Sequence, residues 1–342
     1  MILINDFFVR HKEAVSNQME LISKRNNGKI IAATRFMNQK AMQSQDIKDN
    51  IYIYSPMVYI VKAMKEIISN QKEIVHIFEE EPCLWKRLLL NFSKNPLYVS
   101  MYRRPNEKYS KHLKKYKNLK KVFVELDKHK EMLIQYGFKS NQIEVTPTPS
   151  KIPRKKSEKI FNKENVNIVF ASWNNAEGDA IVERGLEYLL DLLKENTNFH
   201  LTIPLRDNDT KEFEKRAKEY NVWDRIALLN INNNTDLLIN MFDEADFVAF
   251  VPQKRVVKDV PNSLIDGIVR GKPIIISNVI DFSDTVAKEK IGYVIEKGDE
   301  PKKLEITAEE YKKMRDKAYS YSIKHSQDNY AKIIEKAYKN KK

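Results

Sequence analysis

Thirteen short runs rich in β-branched and aromatic residues, alternating with stretches of helical spacing, leave this 342-residue chain few folds to choose from. In the first half the runs are MILIN (1–5), KIIAATRF (29–36), NIYIYS (50–55), EIVHIF (73–78), PLYVSMY (96–102), KKVFVE (120–125) and QIEVTP (142–147). Amphipathic segments such as 12–24 and 56–70 lie between them. After TPTPSKIPRKKSEK (146–159), which has three prolines, the rhythm restarts with VNIVFAS (166–172), FHLTIPL (199–205), DRIALLN (224–230), DFVAFVP (246–252), KPIIISN (272–278) and GYVIE (292–296). Strands that alternate with helices return by crossovers, so two successive α/β domains with mainly parallel sheets are expected. Their boundaries are read as 1–150, a linker at 151–160, and 161–306, with terminal helices over 307–342 that pack back toward the first domain.

Several chemistries are excluded early. One cysteine, Cys83, allows neither an internal disulfide nor a cysteine-based zinc site, and the six histidines are scattered. No apolar run reaches the roughly 20 residues of a bilayer span, and MILINDFFVRHKE lacks the basic start of a secretory signal, so a cytoplasmic protein is expected. Asp243-Glu244-Ala245-Asp246 spells a helicase box, yet the eight glycines form no phosphate loop to accompany it. Asp207-Asn208-Asp209 follows a strand and reads as a turn rather than a metal site. Neither a GxGxxG fingerprint nor a GxSxG elbow is present, which removes support for a dehydrogenase or a serine hydrolase.

Charge is divided unequally. Residues 1–160 carry a net +15 and residues 161–342 a net −2, and KHLKKYKNLKK (111–121) holds six lysines in eleven residues. A solvated helix face explains such a run as readily as an anionic membrane or a polyanionic substrate does. Nothing resembles a nucleic-acid recognition motif, so nucleic acid is not expected as a partner.

The stretch DFVAFVPQKRVVKDVPNSLIDGIVRGKPIIIS (246–277) carries the chemistry. It reads as a buried strand, a loop with Lys254, Arg255 and Lys258, a helix opening at Pro261 with Asn262 and Ser263 as capping residues, and a second buried strand. Asp266 in the first turn would suit the helix dipole. A helix N-terminus flanked by cations at a sheet's carboxyl edge suits a diphosphate, and an ordinary capped helix with a solvated loop is the alternative.

VPNSLIDGIVRGKPIII also resembles the donor-site signature of the retaining GT-B glycosyltransferases of family 4 (group 1), usually written EGFPNxLLEAMAxGxPVI. The resemblance is close over about 165–340 and topological over 1–150. It implies a GT-B architecture, two Rossmann-like domains facing a central cleft with C-terminal helices, and transfer of a sugar from a nucleoside diphosphate sugar, UDP-linked by family weight. It further implies a glycan or lipid-linked acceptor in bacterial surface polysaccharide synthesis, retention at the anomeric carbon, and no cofactor or metal. An anionic membrane surface would be met by the basic half through Lys111 to Lys121, Arg103 and Arg104, and by an amphipathic contact over 84–92. Carried over by position, Arg184 is a catalytic cation and Asp266 meets the ribose, and of the loop cations Lys254, Arg255 and Lys258 the last is taken as the second catalytic cation. The amides of Asn262, Ser263 and Leu264 hold phosphate, and Trp173, Lys254, Arg255 and Asp259 complete the donor site. Glu79, Glu80, Glu81, Arg103 and Arg104 are the acceptor candidates. Three departures stand out: Lys258 replaces the first motif glutamate, Asp266 shortens the second, and Ser172-Trp173 stands where an arginine is usual. They leave a second class open, a non-catalytic GT-B-like subunit or chaperone of an active transferase.

Overall fold

The computed structural model describes residues 1–6, 8, 14–33, 50–79, 93–170, 183–205, 210–231, 234–255 and 258–339. They fall into two compact units, Met1–Pro147 with Gln327–Lys342, and Thr148–Ser326.

In the first unit β1 (Ile2–Asn5), β2 (Lys29–Ala33), β3 (Ile51–Tyr54), β4 (Val75–Glu79), β5 (Leu97–Met101), β6 (Leu119–Val124) and β7 (Ile143–Val145) form one sheet. Their order is β3-β2-β1-β4-β5-β6-β7, and every described pairing is parallel. Strands buried on both faces need apolar residues at successive positions, which IIAA and LYVSM supply. Side-chain alternation then assigns the faces. Ile2, Ile4, Val75 and Ile77 pack under α2 (Pro56–Ser69), α3 (Glu107–Leu113) and α4 (Asp127–Gln135) through Tyr59, Ala63, Ile67, Leu113 and Leu133. Leu3, Phe78 and Tyr98 face the other way, against Val15, Met19 and Ile22 of α1 (Ala14–Asn26). Pro56 opens α2, where its missing N–H has no helical partner to lose. The lysine run 111–121 is not one helical face. It divides among the end of α3, a turn, and the start of β6, and Lys111 pairs with Glu107 and Lys121 with Glu144.

The second unit repeats the plan with β8 (Val166–Phe170), β9 (Phe199–Leu205), β10 (Ile226–Asn230), β11 (Phe247–Phe250), β12 (Ile274–Ser277) and β13 (Gly292–Ile295), ordered β10-β9-β8-β11-β12-β13 and again parallel. Its helices are α5 (Leu186–Glu195), α6 (Lys211–Glu219), α7 (Thr235–Glu244), α8 (Asn262–Val269), α9 (Phe282–Glu289) and α10 (Ala308–Tyr321). The helicase-like tetrad is the end of α7 running into β11. Asp246 is fully buried and accepts from Lys159 Nζ and from the Asn167 amide, each at 2.7 Å.

The proline-rich stretch expected to link two domains is an ordered strap on this unit. Its amides at Lys155 and Ser157 donate to the Val269 and Arg270 carbonyls at 3.1 and 3.0 Å, and Arg154 and Lys156 reach Ser322 and Asp316. Buried Lys272 fastens the strap's Ser157 to the end of α7, donating to Ser157 Oγ, the Asp243 carbonyl and the Ala245 carbonyl at 2.9, 2.8 and 2.6 Å. Prolines deprive the strap of a regular ladder, so its amides at Lys155 and Ser157 turn to the carbonyls that end α8 and its side chains add the remaining ties.

The chain ends in α11 (Gln327–Lys339), which belongs to the first unit and adds Tyr330, Ala331, Ile334 and Tyr338 to the α1 side of its sheet. There fully buried His76 is bonded to the Tyr338 hydroxyl and to Ser100 Oγ, and burial lowers the imidazole to about 3. Among the described residues no helix is long and apolar enough to cross a membrane.

Candidate functional site

In a doubly wound sheet the crossovers reverse direction at one point, and the carboxyl ends of the strands there are where ligands bind. In the second unit that point lies between β8 and β11. Glu183-Arg184-Gly185 lead into α5, the helix that follows β8. Gly185 has φ +85°, and a Cβ on it would lie 1.9 Å from the Val251 carbonyl oxygen, so only glycine permits this approach to the end of β11. The Gln253 amide donates to the Glu183 carbonyl at 3.2 Å and closes the turn. Arg184 is thereby set beside the carboxyl end of β11, partly buried, and burial lowers its guanidinium while nearby Glu183 opposes the shift. It stays cationic all the same.

The loop after β11 holds three cations, and the structure gives each a different partner. Lys254 Nζ donates to Glu183 Oε1 at 2.9 Å. Arg255 donates through Nη1 to Asp259 Oδ1 at 2.7 Å and through Nη2 to Asp281 Oδ1 at 3.2 Å. Both of these carboxylates are buried, so Arg255 and Asp259, expected among the donor ligands, form the clamp that shapes the loop. Removing the guanidinium would take a cationic partner from two buried carboxylates. Lys258 Nζ donates to Asn262 Oδ1 at 2.6 Å, which holds its ammonium at the start of α8.

The opening of α8 differs from expectation in two details. Asn262 and Ser263 are the first helical residues rather than its caps; Pro261 stands at the cap and no side chain caps the first turn. A proline side chain has no acceptor to offer the orphan amides. The Leu264 amide, expected to hold phosphate, already donates to the Pro261 carbonyl at 3.1 Å. The amides of Asn262 and Ser263 are therefore the ones that suit an anion at this end.

Asp266 lies in the middle of α8 and is 4% exposed. It is not in the first turn, and its Oδ1 accepts from Ser150 Oγ at 2.8 Å and from the Lys151 amide at 3.0 Å. Burial raises this carboxyl, with Ser150 and Lys151 opposing. The strap segment it anchors is also held by His325, whose Nδ1 bonds to the Thr148 carbonyl at 2.7 Å. No local signal in the sequence announced this partnership, because Ser150 and Asp266 are 116 residues apart.

Of the remaining candidates, Trp173, Glu80 and Glu81 lie outside the described residues, as do 84–92 and 206–209, and the Glu79 side chain is likewise not described. The backbone of Glu79 closes β4. Arg103, partly buried, and Arg104, exposed, follow the carboxyl end of β5, while the neighbouring Tyr102 is buried with its hydroxyl 3.5 Å from that of Tyr330.

This fold, two parallel α/β units whose second unit presents cations and a helix N-terminus at its switch point, is that of the GT-B glycosyltransferases. Residues 154–340 match the model of the family described as glycosyl transferases group 1, and the chain belongs to that family. Similar solved structures include a glycosyltransferase from Rickettsia africae, with 15% identity, TM-score 0.66 and coverage of 99% of this chain and 97% of that one. HepE from Anabaena, solved with UDP-glucose, has 12% identity, TM-score 0.70 and coverage of 99% of both chains. Sucrose-phosphate synthase from Thermosynechococcus elongatus has 12% identity, TM-score 0.66 and coverage of 99% and 98%. No curated protein sequence matches the chain.

Proposed function

We propose that this protein moves a sugar from a UDP-sugar, with retention at the anomeric carbon, to a glycan or lipid-linked acceptor of bacterial surface polysaccharide or glycoconjugate synthesis, at the cytoplasmic face of the membrane. The observation that carries the proposal is the start of α8. Its first turn has no side-chain cap, it opens beside Lys258, and it follows the carboxyl end of the same strand that Arg184 approaches. UDP is favoured over other nucleotides because HepE, of the same fold, was solved with UDP-glucose.

Cleavage of the glycosyl–phosphate bond leaves negative charge on the diphosphate. Two helix amides with Arg184 and Lys258 are fixed before the reaction, so they stabilise that charge without reorganising. These cations fill the role that a metal ion plays in other transferases, and the enzyme is proposed to work without one. A donor phosphate oxygen takes the acceptor's proton, so no protein base is required. The first unit binds the acceptor through Glu79, Glu80, Glu81, Arg103 and Arg104. Asp266 acts on the donor by holding the strap and α8 in place.

Calorimetric titration with UDP, GDP, ADP and UDP-glucose in metal-free buffer tests the donor. Saturable binding of UDP and UDP-glucose alone is expected. Absence of binding to all four would sink the proposal in favour of a non-catalytic subunit. Replacing Arg184 by Ala is expected to lower turnover about a hundredfold, with a smaller loss of UDP-sugar affinity, because its charge matters most as the bond breaks. Equal losses would make Arg184 a ground-state anchor.

A further inference from the structure

Asp266 is not the last member of the arrangement that holds α8. Thr148 lies between Pro147 and Pro149, which favours extended backbone and removes two N–H groups from the segment. A buried carbonyl there has no regular ladder to join and turns to a side chain. His325 supplies it. Its Nδ1 lies 2.7 Å from the Thr148 oxygen, and its own carbonyl accepts from the Ser150 amide at 2.8 Å. Ser150 carries the connection on to α8, donating through Oγ to Asp266 Oδ1 at 2.8 Å, with the Lys151 amide at 3.0 Å beside it. Thr148, Ser150, Asp266 and His325 are all buried. The 3-10 turn Ser322–His325 packs against α8 and is tied to the strap where Arg154 donates to Ser322 Oγ at 2.7 Å.

We propose that His325 is a positioning residue for the donor site: by fixing Thr148 and Ser150 it holds Asp266, and through Asp266 it sets where α8 begins, one turn away at Asn262 and Ser263. This role rests on the reading of that helix start as the place of the donor diphosphate. The imidazole performs it in one tautomer. A carbonyl only accepts, so Nδ1 carries the proton and Nε2 keeps a bare lone pair. Nε2 is buried and has no partner among the described residues. Burial lowers the imidazole to about 4, the Thr148 carbonyl opposes, and Lys324 and Lys258 add to the lowering. The Lys258 ammonium sits at the start of α8, on Asn262. A diphosphate that offsets this charge therefore changes the field at the His325 ring.

Two substitutions separate positioning from filling space. Asparagine places its amide nitrogen near the site of Nδ1 and donates to the Thr148 carbonyl. Glutamine carries its nitrogen out to the site of Nε2, away from that carbonyl. In His325→Gln, amide exchange at Lys151 and along α8 is expected to be about tenfold faster and UDP binding about tenfold weaker, and His325→Asn should stay within about threefold of the parent in both. In the parent, saturating UDP should move the ring nitrogen resonances of His325 and leave those of buried His76, in the first unit, in place. The ring signals are read on the parent, so they decide the matter even where a variant fails to fold. Parent-like exchange and affinity in His325→Gln would overturn the proposal, as would His325→Asn behaving no better than His325→Gln, or ring signals unmoved by UDP. If the parent bound no UDP, the donor reading would fall, and exchange along α8 in the two variants would still decide whether His325 positions that helix.

Discussion

At the switch point of the first unit, between β1 and β4, the sheet is backed on one side by an aromatic cluster around a buried imidazole: His76 with Phe78, Tyr98, Phe123 and Tyr338. Past the carboxyl end of β11, at the switch point of the second, lies a set of ion pairs, Lys254 with Glu183 and Arg255 with Asp259 and Asp281. Both units use the same order of parallel crossovers, so the difference comes from loops and surfaces rather than from the fold. The first unit keeps its excess charge outside, on lysines of α2 and α3, and the second turns its cations toward carboxylates and a helix end. A doubly wound sheet thus serves as a neutral frame, and sequence outside the strands decides whether it carries an anion site.

The largest way to break the comparison is Gly185→Ala. A left-handed backbone and a Cβ 1.9 Å from a carbonyl oxygen force the turn away from β11, at a cost of about 3 kcal/mol or more. Nucleotide binding should disappear, while hydrogen exchange in the first unit's sheet stays at parent levels. Protection lost equally in both units would mean that Gly185 does not act locally.

Acid should affect both units through one mechanism. Burial lowers His76 to about 3 and His325 to about 4, so each is neutral when folded and protonates near 6.5 once unfolded. Below 6.5 the unfolded chain therefore binds more protons. The associated stability is full above that pH and falls as pH drops toward the folded values, by about 3 kcal/mol for His325. Urea midpoints should fall progressively as the pH is lowered from 7 to 4. His325→Gln should flatten it for the second unit only.

A smaller effect is expected from Asp266→Ala, which takes the carboxylate acceptor from the Ser150 hydroxyl, whose other acceptor is the Ile152 carbonyl at 3.0 Å, and from the Lys151 amide. About 2 kcal/mol should be lost from the second unit, and Asp266→Asn, which keeps an acceptor oxygen, should recover part of it. Full stability of the alanine variant would show that the strap is held elsewhere. Smallest of all, Lys111→Ala removes an exposed pair with Glu107 and should shift stability by under about 0.5 kcal/mol. A larger change would show that this charge is structural in the first unit.

All thirteen strands were legible because each is a short apolar run, and the stretch 246–277 was legible because its strand, loop, helix and strand are contiguous. What could not be read were contacts between distant segments. Arg255 was legible as a loop cation, but its pairing with Asp281, 26 residues later, was not. Asp266 reads from the sequence as a first-turn carboxylate, and the structure buries it in mid-helix against Ser150. The segment 146–159 looks like a flexible linker because proline and lysine compose linkers, yet the same residues satisfy carbonyls and carboxylates of the second unit. Pro261, by contrast, was visible in the sequence, and its inability to cap distinguishes this helix start from one closed by its own serine or asparagine.

The central claim is that the start of α8 binds the donor diphosphate with the help of Lys258. Titrating UDP into the parent protein, Lys258→Ala and the control Lys65→Ala, at an exposed position of α2, tests it most directly. About a tenfold or greater loss of affinity is predicted for Lys258→Ala and none for Lys65→Ala, corresponding to one charge-assisted contact of about 1.5 kcal/mol or more. Equal UDP affinity in all three proteins would contradict the account.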